Sequence, residues 1–201
     1  MNKERIQKVA ENMRAEGLEQ ILVTAPTSVF YLTGKWIAPG ERMLALLVRG
    51  DGSSRLFANR LFALKGAVDA DLKEFDDTDD PIALLEKDVR PGKLVVDKLW
   101  PSQFTIRLMD ARPDVRPTLG SKPVDDARMR KGTDELEKMR ISSRMNDEVS
   151  RRVLENLKEG MTVLDVGCGL GVLQPFLRRR VGKTGRLAML DFSPKMIAGA
   201  A

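Results

Sequence analysis

LKEGMT, Leu157 to Thr162, divides the chain into two textures. Upstream of it, apolar runs and helical patterns alternate and end in a long charged helix. Downstream, VLDVGCGLG (Val163 to Gly171) opens a strand and a glycine-rich turn of nucleotide-binding type. A lysine, a glycine and a small polar residue end a helix as readily as they lead into a first strand, so the six residues suit either side.

Charge separates the two sides. The chain has 34 Lys and Arg against 29 Asp and Glu, a net of +5. From Met161 onward six basic and two acidic residues give +4, which leaves +1 for the first 160. The excess belongs to the tail, so no basic nucleic-acid face is expected. The 201 residues suffice for one full domain and part of a second. The longest apolar run, Met43 to Val48, is a buried strand and far too short for a bilayer, so no membrane partner is expected. The opening MNKERIQK has no apolar core behind its charges and predicts no signal peptide. A single cysteine, Cys168, rules out an internal disulfide framework and fits a reducing cytoplasm. The absence of histidine removes Ser-His-Asp and Cys-His catalysis, imidazole bases and every metal site that needs a histidine.

Ile6, Val9, Ala10 and Met13 recur at helical spacing, which predicts a helix from about Asn2 to Glu16 with Gly17 as its stop. Gln20 to Thr24 predicts a buried strand that Pro26 breaks, and Thr27 or Ser28 can cap a short helix ending at Gly34. Met43 to Val48, the Gly50-Asp51-Gly52 turn and Arg55 to Ala58 predict a hairpin. Asp79 and Asp80 before Pro81 predict a capped helix through Val89, followed by a strand at Lys93 to Asp97. Ser102 is expected to cap a helix through Met109, with a last strand at Val115 to Thr118. The alternation predicts a mixed α/β sheet with helices on its faces. From Thr133 to about Lys158 runs the charged helix, with a narrow stripe of Met139, Met145, Val149, Val153 and Leu157.

In order and spacing, ILVTAPTSVFYLTG (Ile21 to Gly34), LALLVRGDGSSRLFAN (Leu44 to Asn59) and the exit from Arg128 to Thr162 resemble the creatinase-type N-terminal domain of Xaa-Pro aminopeptidases and prolidases. The resemblance implies a mixed-sheet domain at 1–128 and a linker helix at 129–160. It also implies a non-catalytic role, in homo-oligomerisation and in edging a substrate cleft. Tyr31 and Trp36 are candidates for that edge, against the plainer reading of aromatics packed around a loop. The family's metal set of Asp, Asp, His, Glu and Glu belongs to a following domain that these residues do not supply. No catalytic or metal residue is therefore assigned, and this chain is not expected to be active alone.

The tail resembles something else. Asp165, Gly167, Gly169 and Gly171, followed by a strand at Arg186 to Leu190, Asp191 and FSPKM, are similar to the start of class I S-adenosylmethionine-dependent methyltransferases. Glycines let the backbone approach a ligand, and a helix N-terminus favours its carboxylate. The resemblance implies that Asp191 accepts the ribose hydroxyls. The spacing differs from G-x-G-x-x-G, which argues against a nicotinamide cofactor. Pro175 departs from the pattern by removing a donor early in the helix that Gly171 is expected to begin. Two strands make an incomplete Rossmann-like β-α-β fragment at 161–201. S-adenosylmethionine is the one cofactor it offers, with binding expected to be weak or absent. A natural fusion, a truncation and a join of unrelated genes all remain open, as does the alternative of a truncated methyltransferase with an unusual N-terminal module.

Weaker signals favour plain readings. Gly182-Lys183-Thr184 lacks the upstream glycine of a phosphate loop, which is Leu177 here. Glu74, Asp76, Asp77, Asp79 and Asp80 lack a calcium loop's glycine and final glutamate, replaced by Pro81 and Lys87. Arg178, Arg179 and Arg180 suit a helix C-terminus. Nothing marks Cys168 as a nucleophile.

Overall fold

The computed structural model describes residues 2–199. It divides into two compact units, one ending at Arg130 and one beginning at Lys131.

The first unit opens with α1 (Lys3–Ala15), whose Ile6, Val9, Ala10 and Met13 are all buried. The Asn2 side chain caps it, accepting the Arg5 N–H at 3.0 Å. Then come β1 (Gln20–Val23), α2 (Pro26–Thr33), β2 (Leu44–Arg49), β3 (Ser54–Asn59) and β4 (Asp71–Phe75). After these run α3 (Pro81–Leu85), β5 (Gly92–Val96), α4 (Ser102–Ala111), β6 (Val115–Leu119) and α5 (Lys122–Met129). The strands form one six-stranded sheet in the order β4-β3-β2-β1-β5-β6. The pairs β1–β2 and β2–β3 are antiparallel, and β1–β5, β3–β4 and β5–β6 are parallel.

This is the mixed α/β sheet that the alternation predicts, and its central strands are apolar throughout because both faces are covered. Alternate residues go to opposite sides. Ile21, Val23, Leu46 and Leu56 meet α1, α2 and α5, while Leu22, Leu47, Phe57 and Leu94 meet α3 and α4. Both edges resist further pairing: β4 presents Asp71, Lys73 and Glu74, and β6 contains Pro117, which has no N–H to donate.

Several expectations are corrected. Pro26 does not end β1 by breaking the chain; it begins α2, whose N-cap is Ala25 with no side-chain bond from Thr27 or Ser28. Ser102 is the first residue of α4 and does not cap it, the N-cap being Pro101. The helix at Pro81 stops at Leu85, short of Val89. β4 and α5 have no counterpart among the predicted elements.

The second unit holds α6 (Thr133–Asn156), β7 (Thr162–Val166), α7 (Gln174–Val181), β8 (Arg186–Leu190) and α8 (Pro194–Gly199). β7 and β8 pair in parallel. Helix α7 packs on β8 and buries Leu177 and Val181. Gly171 does not begin that helix, which starts three residues later. Pro175 therefore sits in the first turn, where no intrahelical donor is needed, and is no departure. No residue of α6 is buried. No helix among the described residues is long and apolar enough to cross a membrane.

Candidate functional site

In the first unit the polar anchor is Asp97, 5% exposed, at the exit of β5. One carboxylate oxygen accepts the N–H of Thr24 at 2.7 Å and of Ala25 at 2.8 Å. The other takes the Thr24 hydroxyl and the Leu99 N–H. These bonds bring together the ends of two parallel strands whose chains then diverge, β1 into α2 and β5 toward α4. A crevice opens at such a divergence. A cavity of about 510 Å³ lies there, with Thr24, Pro26, Trp36, Leu44, Trp100 and Pro101 in its lining.

The two cleft-edge candidates part company. Tyr31 is 8% exposed; its hydroxyl donates to the Ala127 carbonyl at 3.0 Å, and the Arg5 guanidinium lies 4.3 Å from its ring centre. It is a core residue with a satisfied hydroxyl. Trp36 is 57% exposed, meets Phe30 edge-on at 6.0 Å and lines the cavity. Trp100, which the sequence did not single out, forms the other aromatic wall and stacks on Phe104 at 5.9 Å. Its Nε1 N–H is buried with no acceptor among the described residues, so packing holds the ring.

Arg42 supplies the cavity's cation, but it is already engaged. Its Nε and Nη2 donate to the Asp77 carboxylate at 2.8 and 2.6 Å. The paired guanidinium holds the Asp77 carboxyl below its ordinary range, and Asp77 raises Arg42 in return. The site carries little free charge.

The acidic run divides without forming a cation site. Glu74 belongs to β4. Asp76 accepts from Thr78, Asp79 accepts the Asp76 N–H, and Asp80 caps α3 by accepting from Ile82 and Ala83. Among the described residues no three His, Cys, Asp or Glu side chains are grouped to hold a metal ion.

In the second unit the five sequence candidates gather around the exits of β7 and β8. Gly167, Gly169 and Gly171 all adopt positive φ, at 74°, 54° and 71°. A Cβ built on Gly167 or Gly169 would meet nothing within 4 Å, so the turn faces open space. The Gly167 N–H donates to the Leu190 carbonyl at 2.7 Å, and the Gly169 N–H to Asp191 Oδ2 at 2.9 Å. Asp191 Oδ1 accepts the Ser193 N–H at 2.9 Å, and these backbone bonds from Ser193 and Gly169 lower the Asp191 pKa. Asp165 accepts from Gln174 Nε2 at 2.8 Å. Cys168 is half-buried in the turn. Leu170, Val172 and Phe192 stand exposed nearby and enclose nothing. Arg178 donates to the Gly182 and Gly185 carbonyls at the end of α7, as a C-terminal cation should.

Residues 5–130 match the family model of the creatinase/prolidase N-terminal domain. Among curated relatives, an uncharacterized peptidase of Staphylococcus saprophyticus is 24% identical over 165 residues, covering 79% of this chain and 46% of that protein. The chain thus spans about half the length of the curated relatives it matches. A prolidase from Thermococcus sibiricus superposes with a TM-score of 0.69 at 21% identity, over 89% of this chain and 49% of that one. The creatinase/prolidase N-terminal domain of an X-Pro dipeptidase from Streptococcus pyogenes superposes with a TM-score of 0.50 at 16% identity, over 58% of this chain and 98% of that one. At these identities the structures share the fold. The match across 5–130, with the six-stranded mixed sheet that fills it, places this chain in the creatinase/prolidase N-terminal domain family.

Proposed function

We propose that the first unit serves as the non-catalytic N-terminal domain of an Xaa-Pro peptidase, where it edges a substrate cleft with Trp36 and supports homo-oligomerisation. The observation that carries this reading is the family match over residues 5–130 coinciding with a unit that ends at Arg130. The chemistry agrees. The cavity at the exits of β1 and β5 is lined by Trp36 and Trp100, and its one cation is paired with Asp77. Such walls grip apolar groups and transfer no protons. The 201-residue chain incubated with alanyl-proline and Mn²⁺ is expected to release no proline; release above the metal-only background would overturn the non-catalytic reading.

A second reading concerns the tail, favoured by one observation: the Gly169 N–H meets the Asp191 carboxylate across the exits of two parallel strands. The open positive-φ turn fits the amino-acid end of S-adenosylmethionine, and Asp191 the ribose, while the exposed surroundings provide no wall for the base. When bound, that cofactor supplies a methyl group. The residues here would only hold it: the turn would give the ligand room beside Gly167 and Gly169, whose own N–H groups are taken by Leu190 and Asp191, and Asp191 would face the ribose. On this reading, calorimetric titration with S-adenosylhomocysteine is expected to give weak heats that are lost in Asp191→Ala. No heat at millimolar ligand would sink this second reading.

A further inference from the structure

Three polar residues of the first unit meet at the end of the sheet that holds the cavity. β2 runs against β3 with Leu44 opposite Ala58, and β3 runs alongside β4 with Asn59 opposite Phe75. The register therefore gathers Arg42, just before β2, Asn59, which ends β3, and Asp77, just after β4. Asn59 is 1% exposed, and its Nδ2 donates to Asp77 Oδ1 at 2.8 Å. The same oxygen accepts from Arg42 Nε, and Oδ2 accepts from Nη2. A lone surface ion pair contributes little. This one is a two-bond fork whose carboxylate is also held by a buried amide, so the guanidinium has a fixed partner.

Among the described residues Arg42 is the only charged group in the lining of that cavity. A guanidinium beside apolar walls would ordinarily draw in a carboxylate, which it grips through two parallel bonds. Asp77 already takes the Nε–Nη2 fork and cancels the charge. Neighbouring charges act in the same direction. Glu41 adds its negative field to that of Asp77 at Arg42, and Asp97 is buried against Thr24, a lining residue. Of the nearby cations, Lys98 pairs with Asp125 at 3.3 Å and Lys35 lies outside the lining. The walls that remain, Trp36, Leu44, Leu99 and Trp100 with their flanking prolines, offer contact without charge.

We infer, on the proposed cleft-edge role of this cavity, that Asp77 is a specificity-determining residue: by holding Arg42 it reserves the cavity for an uncharged apolar group of a peptide and turns away a free carboxylate. A peptide that ends at the seated residue presents a carboxylate there. One that continues presents an amide, so the Arg42–Asp77 pair favours the longer peptide.

Titration of the 201-residue chain with alanyl-proline and with alanyl-prolinamide tests this, because the two ligands differ only in that terminal group. The emission of the exposed Trp36 reports both affinities. The wild type is expected to bind the amide about fivefold more tightly, the upper range for one exposed ion pair. Asp77→Asn keeps an oxygen for Asn59 but loses the charge, and is expected to bring the two affinities level. Asp77→Glu is expected to retain the amide preference, and the double variant Asp77→Asn with Arg42→Gln to restore it. Arg42→Gln alone leaves Asp77 uncompensated and is expected to widen the preference, which serves if Asp77→Asn perturbs the fold. A wild type that prefers the carboxylate, or a preference that none of these substitutions moves, overturns the inference and leaves the cleft edge standing. A double variant that still behaves as Asp77→Asn also overturns it, since the effect then bypasses Arg42. An emission that neither ligand moves overturns the cleft edge and this inference together.

Discussion

The Asp97 carboxylate, at the exit of β5, accepts the Thr24 backbone N–H at the exit of β1 across 2.7 Å. It thereby ties together two strands that lie 73 residues apart in sequence. Both residues are buried, so removing the carboxylate leaves the Thr24 N–H without this acceptor. Asp97→Ala is expected to cost about 3 kcal/mol of stability, the range for buried bonds to a charged group. Urea unfolding measures it, and a midpoint within error of wild type would show that the clamp does not hold the strands.

Gly34 ends α2 at φ 77°, its N–H donating to the Phe30 carbonyl at 2.8 Å. A Cβ there would meet no atom within 4 Å, so Gly34→Ala isolates the backbone conformation from any clash. The expected loss is about 1 kcal/mol. Thermal unfolding checks it, and a stabilised variant would contradict the assigned geometry.

The chain has two tryptophans, and both line the same cavity. Titration with alanyl-proline is therefore expected to shift the emission of Trp36, which is 57% exposed, to shorter wavelength. In Trp36→Phe most of the shift should disappear, because Trp100 is already buried before the peptide binds. An unchanged wild-type spectrum at saturating peptide would remove Trp36 from the cleft edge.

The Asp191 carboxyl is held below its ordinary 3.8 by the N–H groups of Ser193 and Gly169. A carboxylate with a depressed folded value stabilises the fold above its unfolded pKa, and the contribution is lost as pH falls through the folded value. The Gly169 and Ser193 amide resonances are expected to move together as the pH is lowered, with a common midpoint below 3.8. A midpoint at or above that value would mean the two bonds do not form in solution.

Most of the first unit could be read from its sequence because its elements are apolar on a fixed period. Ile6, Val9, Ala10 and Met13 announce α1, and the buried run through β2 announces a central strand. β4 escaped because DLKEF is an edge strand: Leu72 and Phe75 are its only apolar residues, and pairing with β3 makes it a strand. α5 escaped because eight residues with Val124 and Ala127 on the inner face give too short a period, and packing on α1 stabilises it. Trp36 was legible as an aromatic beside a loop, but Trp100 was not. Only the fold brings the exits of β1 and β5 together and turns two distant tryptophans into facing walls. The glycine turn and Asp191 could be found from spacing alone, whereas the engagement of Asp165 by Gln174 could not.

The six-stranded sheet has a charged strand on one flank and a proline-bearing strand on the other. β6 lacks a backbone donor at Pro117, and β4 rims its backbone groups with Asp71, Lys73 and Glu74, which disfavour an incoming strand. Growth of this sheet by strand addition is therefore disfavoured in both directions. That leaves the helical layers as the surface through which the first unit would more readily meet a partner, where a substitution can tune the contact without touching the sheet.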